Sequence, residues 1–495
     1  MYIHDLESRQ QNCLEADCIK MQLHMKMHSE SIPRCLQRGS ERNQTMLFFL
    51  TFRDSLQLAA GNFNQTQKNF CVLFISSLLV LGLVSSACAE RIFFAGYKGG
   101  FYIKSEEQGG MELRFGGAFQ TDYRYYLEDE RSDNRFDIRR ARLRFRGQLT
   151  RYFRFGMEYE FEGNTTSNLI DAYGEGVYGP HALRAGQFKI PFSLEWQTRD
   201  KGLYFAERSI GYTIGPKYDI GLMLHGSFLN ETLVYSGGLF NGDGDDGSSA
   251  GNEHDTPEIA GRIVVAPFKL SNTKLINSLQ VGASATYGKI DTLNINLHAK
   301  SAGMIGTSRN IFVLTHNTKF GVIKDVSDRR RLNLEAAWAV SPFLFQGEYT
   351  ELKYTGLEAA GSNPVDARFS SWYASATWYI TGEMPVLSRG SVKPIYPNRF
   401  FNPEEGTWGA FCLSARVEHF TGDENWINPD SHNSVKKADA VSVAVNWILF
   451  PMVRIIADYT HTSLSDPIKV RELPDGTVNY IDKENVFTMR FSIDF

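Results

Sequence analysis

The 495-residue chain carries a formal net charge of −4, which excludes the broad basic surface of a nucleic-acid binder. Its 13% aromatic residues and 43 glycines favour β-structure with many turns. An apolar content of 42% fits a soluble protein or a membrane barrel, in which half of each strand faces water.

Residues 1–67 are polar and irregular, and read either as a non-native extension upstream of the true start, with Met46 the last methionine before the apolar run, or as a disordered tail. The run Phe70 to Val84 follows Lys68 and leads into Ala87-Cys88-Ala89. A basic start, an apolar core and a small-residue exit predict a secretory signal peptide over 68–89, cleaved before Glu90. The alternatives are a lipoprotein signal ending at Cys88, or a membrane anchor, for which the run falls short of the ~20 residues needed. Cys13, Cys18, Cys35, Cys71 and Cys88 precede residue 90 and only Cys412 follows it, so the remainder has no disulfide framework and no metal-type Cys pair.

From Met111 onward, alternating segments of about ten residues are separated by turn chemistry. In 136–161, Arg140, Arg142, Arg144 and Arg146 share one strand face, while Ala141, Leu143, Phe145 and Gly147 share the other. On the next strand, Phe153, Phe155, Met157, Tyr159 and Phe161 oppose Arg154, Glu158, Glu160 and Glu162. A soluble sheet rarely opposes its apolar face with four arginines, whereas a barrel in lipid turns the apolar face to hydrocarbon and the charged face to a wet lumen. The pattern predicts that 90–495 is all-β: a transmembrane antiparallel up-and-down β-barrel of about 16 strands. Short connections such as Ser341-Pro342 alternate with long polar ones, as they do between the periplasmic and outer rims of such barrels. The 27-residue connection 381–407 breaks that alternation, so either the strand count fails there or a short-rim turn is elaborated. Phe487, Met489, Phe491, Ile493 and Phe495 share one face of the last strand, a pattern that resembles the signal read by the barrel assembly machinery.

No catalytic, metal-binding or cofactor constellation emerges. His225, His419 and His461 lie on different strands, without zinc-site spacing. The Gly-Asp run at 242–247 has oxygen ligands for a cation but lacks EF-hand spacing. The candidate chemistry is electrostatic. Arg114, Arg140, Arg142, Arg144, Arg146 and Arg490 fall on neighbouring lumen-facing positions, where guanidiniums would offer an anion successive sites. Glu158, Glu160 and Glu162 face the same way, so cross-strand charge pairing is the competing reading. The loop 190–218 is the candidate constriction, with Lys189 at its entrance and Arg199, Lys201, Arg208 and Lys217 along it, beside Trp196, Tyr204 and Tyr212. Its ordinary alternative is a surface loop of mixed charge.

Several motifs resemble the phosphate-selective porin O and P family. They are Ile138-Arg139-Arg140-Ala141-Arg142-Leu143, Asp171-Ala172-Tyr173, Leu183 to Glu195, Ala206-Glu207-Arg208-Ser209, Gly238-Leu239-Phe240-Asn241-Gly242, Tyr379 to Glu383 and Asn446-Trp447. The resemblance implies a sixteen-stranded outer-membrane channel, usually a homotrimer, for passive uptake of small anions or phosphate. It implies roles for Arg140, Arg142 and Arg144 along the path and for Lys189 and Arg208 at the loop. The acidic loop 241–247, and a funnel without rich lysine, depart from strict phosphate selectivity. The leading reading is therefore an outer-membrane porin for small anions, with phosphate or polyphosphate as candidate solutes, outer-membrane lipid around it and no cofactor, enzyme activity or nucleic acid. A general non-selective porin and a surface adhesin or structural barrel are the alternatives.

Overall fold

The structure, a computed structural model, describes residues 93–97, 100–105, 110–127, 134–162, 168–242, 257–292, 295–301, 310–359, 363–428, 430–472 and 475–495. The expected extension and signal peptide, and the Gly-Asp run beyond Gly242, lie outside the described residues.

The alternating segments form strands as their two-faced pattern requires. They are β1 (Glu112–Tyr126), β2 (Arg135–Thr150), β3 (Phe153–Glu160), β4 (Leu169–Tyr178) and β5 (His181–Lys189). Then come β6 (Tyr218–Phe228), β7 (Leu233–Phe240), β8 (Glu258–Val265), β9 (Gln280–Gly288), β10 (Asp328–Val340) and β11 (Phe343–Ala359). The set ends with β12 (Val365–Tyr379), β13 (Ala410–Thr421), β14 (Lys437–Phe450), β15 (Val453–Glu472) and β16 (Val478–Asp494). Each pairs antiparallel with the next, and β16 returns to β1 through Phe491↔Thr121 and Met489↔Tyr123, which closes a sixteen-stranded barrel. Where β16 ends, Phe495 exchanges backbone hydrogen bonds with Gly117 at 2.8 and 3.0 Å. The hairpin Phe93–Tyr97/Phe101–Ser105 pairs with the start of β1.

Register separates the two faces. Phe145, Met157 and Ala172 form one lateral row across β2–β4, and Arg144, Glu158 and Asp171 form the adjacent row. The outward rows leave Leu222, Leu224, Ile263, Val281, Leu334, Val441 and Val443 exposed, as a lipid-facing surface requires. Near the Ser341-Pro342 turn, Trp338, Phe343, Phe345 and Trp378 pack ring to ring at 5.6–6.5 Å, the aromatic belt of a membrane–water boundary.

Three connections turn inward. The loop 190–217 carries two short helical turns, Leu194–Gln197 and Ile210–Ile214. The loop after β9 carries the ribbon Asn296–Ala299/Phe312–Thr315, whose Leu297, Phe312 and Leu314 join Leu352, Phe369 and Phe420 of the strands in an apolar cluster. The connection after β12 is an elaborated turn, and the strand count stands. It contains the ribbons Leu387–Ser388/Ser391–Val392 and Phe401–Asn402/Thr407–Trp408. Its tip reaches the first inward loop, with Val392 N–H donating to Thr198 Oγ1 at 3.2 Å and Arg262 donating to Gly390 O at 2.6 Å. Only the first of these insertions was expected, although Ile290, Leu297, Ile311 and Phe312 are out of place in a solvated loop.

Candidate functional site

The loop 190–217 is bound to the wall through backbone and side chain. The Glu348 carboxylate accepts the N–H groups of Leu194 and Glu195 at 2.9 and 2.7 Å, and so satisfies donors at the start of a helical turn. Glu418 accepts the Ile210 N–H at 2.7 Å. From β14 and β15, Asn446 donates to Tyr204 O at 2.8 Å and Arg454 to Leu203 O at 2.5 Å.

Two loop carboxylates collect wall arginines. Glu207 accepts Arg124 at 2.7 Å, Arg139 at 2.8 Å and Arg490 at 2.9 Å. Arg490 also grips Asp122 with two bonds of 2.6 and 2.7 Å and donates to Ala206 O. Asp200 holds Arg142 at 3.1 Å, Arg140 at 3.2 Å and Arg208 at 2.9 Å. Burial acts to raise the Asp200 carboxyl, but Arg140, Arg208 and Arg142 outweigh it and hold the group well below the usual carboxylate range. Burial acts the same way on Glu207, and Arg139, Arg490 and Arg124 hold it well below that range. Both loop anchors are therefore ionised at neutral pH.

Beneath the loop lies a cavity of about 430 Å³, bounded by β2–β8 and by the tip of the 380–409 turn. Eight basic side chains line it: Arg142, Arg144, Arg146, Arg184, Lys189, Arg199, Arg262 and Arg389. Three acidic ones do so: Glu158, Asp171 and Asp200. Several of the cations are neutralised. Arg142 meets Glu160 at 2.6 Å and Arg144 meets Glu158 at 2.7 and 3.0 Å. Arg184 meets Glu175 at 2.6 Å and lies 4.0 Å over the Tyr173 ring, which occupies the space left by Gly156. Arg262 meets Glu335 at 2.5 Å, and Arg389 meets Glu231 at 3.3 Å. Arg146 and Arg199 have no ion-pair partner among the described residues. Arg199 is solvent-exposed within the lumen, where the barrel's partial enclosure and the like charges of Arg146 and Arg144 lower its guanidinium to about 10 against the pull of Asp494 and Glu158.

The expected residues thus separate. Arg142, Arg144, Arg146, Lys189 and Arg199 come together on the cavity. Arg140 and Arg490 are buried in the loop clamps. Arg208 lies in the Asp200 clamp, 5.4 Å from the Trp196 ring centre and 5.2 Å from that of Tyr212. Lys189 donates to Trp196 O at 2.8 Å and sits over its ring at 4.3 Å. Lys201 pairs with Asp494 at 2.9 Å, and Lys217 donates to loop carbonyls, Gly215 O at 2.8 Å among them. Arg114 pairs with Glu112, half exposed and opposite Arg146 in register. Cross-strand charge pairing and lumen lining therefore coexist at Arg142 and Arg144.

Sequence reading missed Arg139, Arg184, Arg262 and Arg389. Strict alternation points Arg139 outward. The pairing of β1 with β2 slips between Gln120 and Thr121, so Ile138 and Arg140 take adjacent partners and Arg139 bulges. The consecutive pair Arg139-Arg140 was the signal, because two adjacent charges cannot both face a lumen on a regular strand.

A closed barrel with an apolar exterior, a charged lumen and a loop tied across it is an outer-membrane channel of the porin class. Its solutes pass through that lumen. The family model described as phosphate-selective porin O and P matches residues 113–495, and the chain belongs to that family. The curated relative Porin O of Pseudomonas aeruginosa is 25% identical over 425 residues, covering 78% of this chain and 92% of the relative. Among solved structures, the outer membrane channel DcaP of Acinetobacter baumannii aligns at a TM-score of 0.49 with 10% identity, covering 81% of this chain and 100% of that one. An anion-selective porin from Comamonas acidovorans aligns at 0.47 with 10% identity, covering 78% and 100%.

Proposed function

We propose that this porin conducts small anions passively, that Arg146 and Arg199 offer them charge past the constriction, and that the carboxylate-paired Arg142 and Arg144 and the hydrogen-bonded Lys189 line the same path. The observation that supports this most is the pair Arg146 and Arg199, two cations without ion-pair partners among the described residues, on the wall and loop of one cavity. A guanidinium with no carboxylate partner presents its full charge to a passing anion, and a shallow series of such sites lets the ion leave again. In this reading Arg140, Arg208 and Arg490 serve the path indirectly, by fixing the loop that narrows it. Phosphate belongs among the permeant anions by family membership. The same membership supports a homotrimer, which cross-linking of the protein in outer-membrane vesicles would test.

Reversal potential in a planar bilayer under a potassium chloride gradient tests the reading. Anion preference is expected, and it should fall in Arg199→Gln. Cation preference, or a bilayer that stays silent with folded protein present, would overturn it.

A further inference from the structure

The cavity below the loop is larger than a single tetrahedral oxyanion needs. At about 430 Å³ it falls within the range of about 300–1,000 Å³ that holds small organic ligands. Its lining divides by chemistry. Arg146 and Arg199, without ion-pair partners among the described residues, supply charge beside the carboxylates of Glu158, Asp171 and Asp200. Tyr218, Gln197, Ser236 and Ser391 supply neutral hydroxyl and amide groups to the same space. Tyr218 is half-buried at the head of β6, and its hydroxyl has no hydrogen-bond partner among the described residues. Its ring is held edge-on to Trp196 at 5.0 Å, so the hydroxyl is presented from a fixed position.

Resting on the anion-channel reading, we propose that this cavity is a binding site for phosphate monoesters of polyhydroxylated molecules, the sugar phosphates, with the phosphoryl group between Arg146 and Arg199 and the hydroxylated body against Tyr218 and Ser236. A monoester dianion matches two guanidiniums, which bind phosphoryl oxygens through a planar fork. The neutral polar lining takes up hydroxyls that a purely cationic tube would leave without partners. The tip of the 380–409 turn, hydrogen-bonded to the loop through Val392 and Thr198, adds Ser391 and Arg389 to the lining of the same cavity. A solute of this size is therefore retained briefly rather than passing without contact.

Block of the chloride current separates this site from plain anion conduction. Glucose 6-phosphate and inorganic phosphate are titrated separately against the wild-type channel, Arg199→Gln and Tyr218→Phe. Glucose 6-phosphate is expected to block at a concentration no higher than phosphate does. Arg199→Gln should weaken both blocks about tenfold, the loss of one charge-assisted contact. Tyr218→Phe keeps the ring, and should weaken the glucose 6-phosphate block about threefold while leaving the phosphate block unchanged. If phosphate blocks and glucose 6-phosphate does not, or if Tyr218→Phe shifts both alike, the sugar-phosphate site is wrong and the anion path stands. If neither compound blocks and Arg199→Gln leaves the reversal potential unmoved, the underlying anion reading fails as well.

Discussion

Arg490 and Arg199 are the same residue type in the same lumen, yet they do different work. Arg490 is buried, grips Asp122 and Glu207, and donates to the loop backbone at Ala206. Arg199 is carried by the loop itself, is exposed inside the barrel, and feels Arg146 and Arg144 more strongly than the carboxylates of Asp494 and Glu158. In the proposed anion path, the first kind of arginine fixes the loop and the second offers a charge that a solute can feel. An arginine column on a strand face is therefore insufficient to define an ion path. What decides is whether a carboxylate has already claimed the guanidinium and whether water reaches it.

The contrast can be broken most forcefully at the clamp. Glu207→Ala leaves the buried Arg124 and Arg490 and the half-buried Arg139 without their shared partner, which should cost about 3–5 kcal/mol. It should lower the temperature at which the folded barrel loses its compact mobility on an SDS gel, and conductance should rise as the loop comes free. Asp200→Asn removes the charge that organises Arg140, Arg142 and Arg208, and a loss of about 1.5–3 kcal/mol is expected in the same assay. Were both variants as stable as the wild type, the division between building and conducting arginines would collapse.

At the open end the balance reverses. Arg146→Gln and Arg199→Gln should change stability by no more than about 0.5 kcal/mol, while anion preference falls in the reversal potential. Arg114→Ala, in a half-exposed pair, should alter stability by less than about 1 kcal/mol and selectivity less than Arg199→Gln does.

Acid sharpens the same contrast. The carboxyls of Asp200 and Glu207 are depressed in the folded state, so their stabilisation is fully present above the unfolded carboxylate range and is lost only as pH falls through the lower folded values. Single-channel conductance should hold steady from pH 7 to about 4 and change only in stronger acid. A transition at pH 5 to 6 would assign the acid response to the other carboxyls that tie the loop, Glu348 and Glu418, rather than to Asp200 and Glu207.

Much of this was legible in the residues. The period-two alternation in 136–161, repeated along the chain, predicts strands with one apolar and one charged face, and such strands must close in lipid because an open edge would leave backbone groups without partners. The loop of Trp196, Arg199 and Arg208 stood out as a candidate constriction because its charges and aromatics lie between two strands of opposite direction. The inward fold of the 380–409 turn was not legible, because its position beside Thr198 and Arg262 depends on contacts 128 to 194 residues apart in sequence. The bulge at Arg139 was also hidden, since one extra residue in a strand is a property of the pairing and not of the strand alone.

By itself, then, the sequence determined a two-faced, closed barrel and the arginine-rich wall of its lumen, because side-chain alternation is a local property of each strand. Only the tertiary structure decided which of those arginines carry an available charge. That choice depends on carboxylates such as Asp122, Glu207 and Asp200, brought from other strands and from a loop folded back into the lumen, and a guanidinium's field is set by the nearest opposite charge rather than by its own place in the chain.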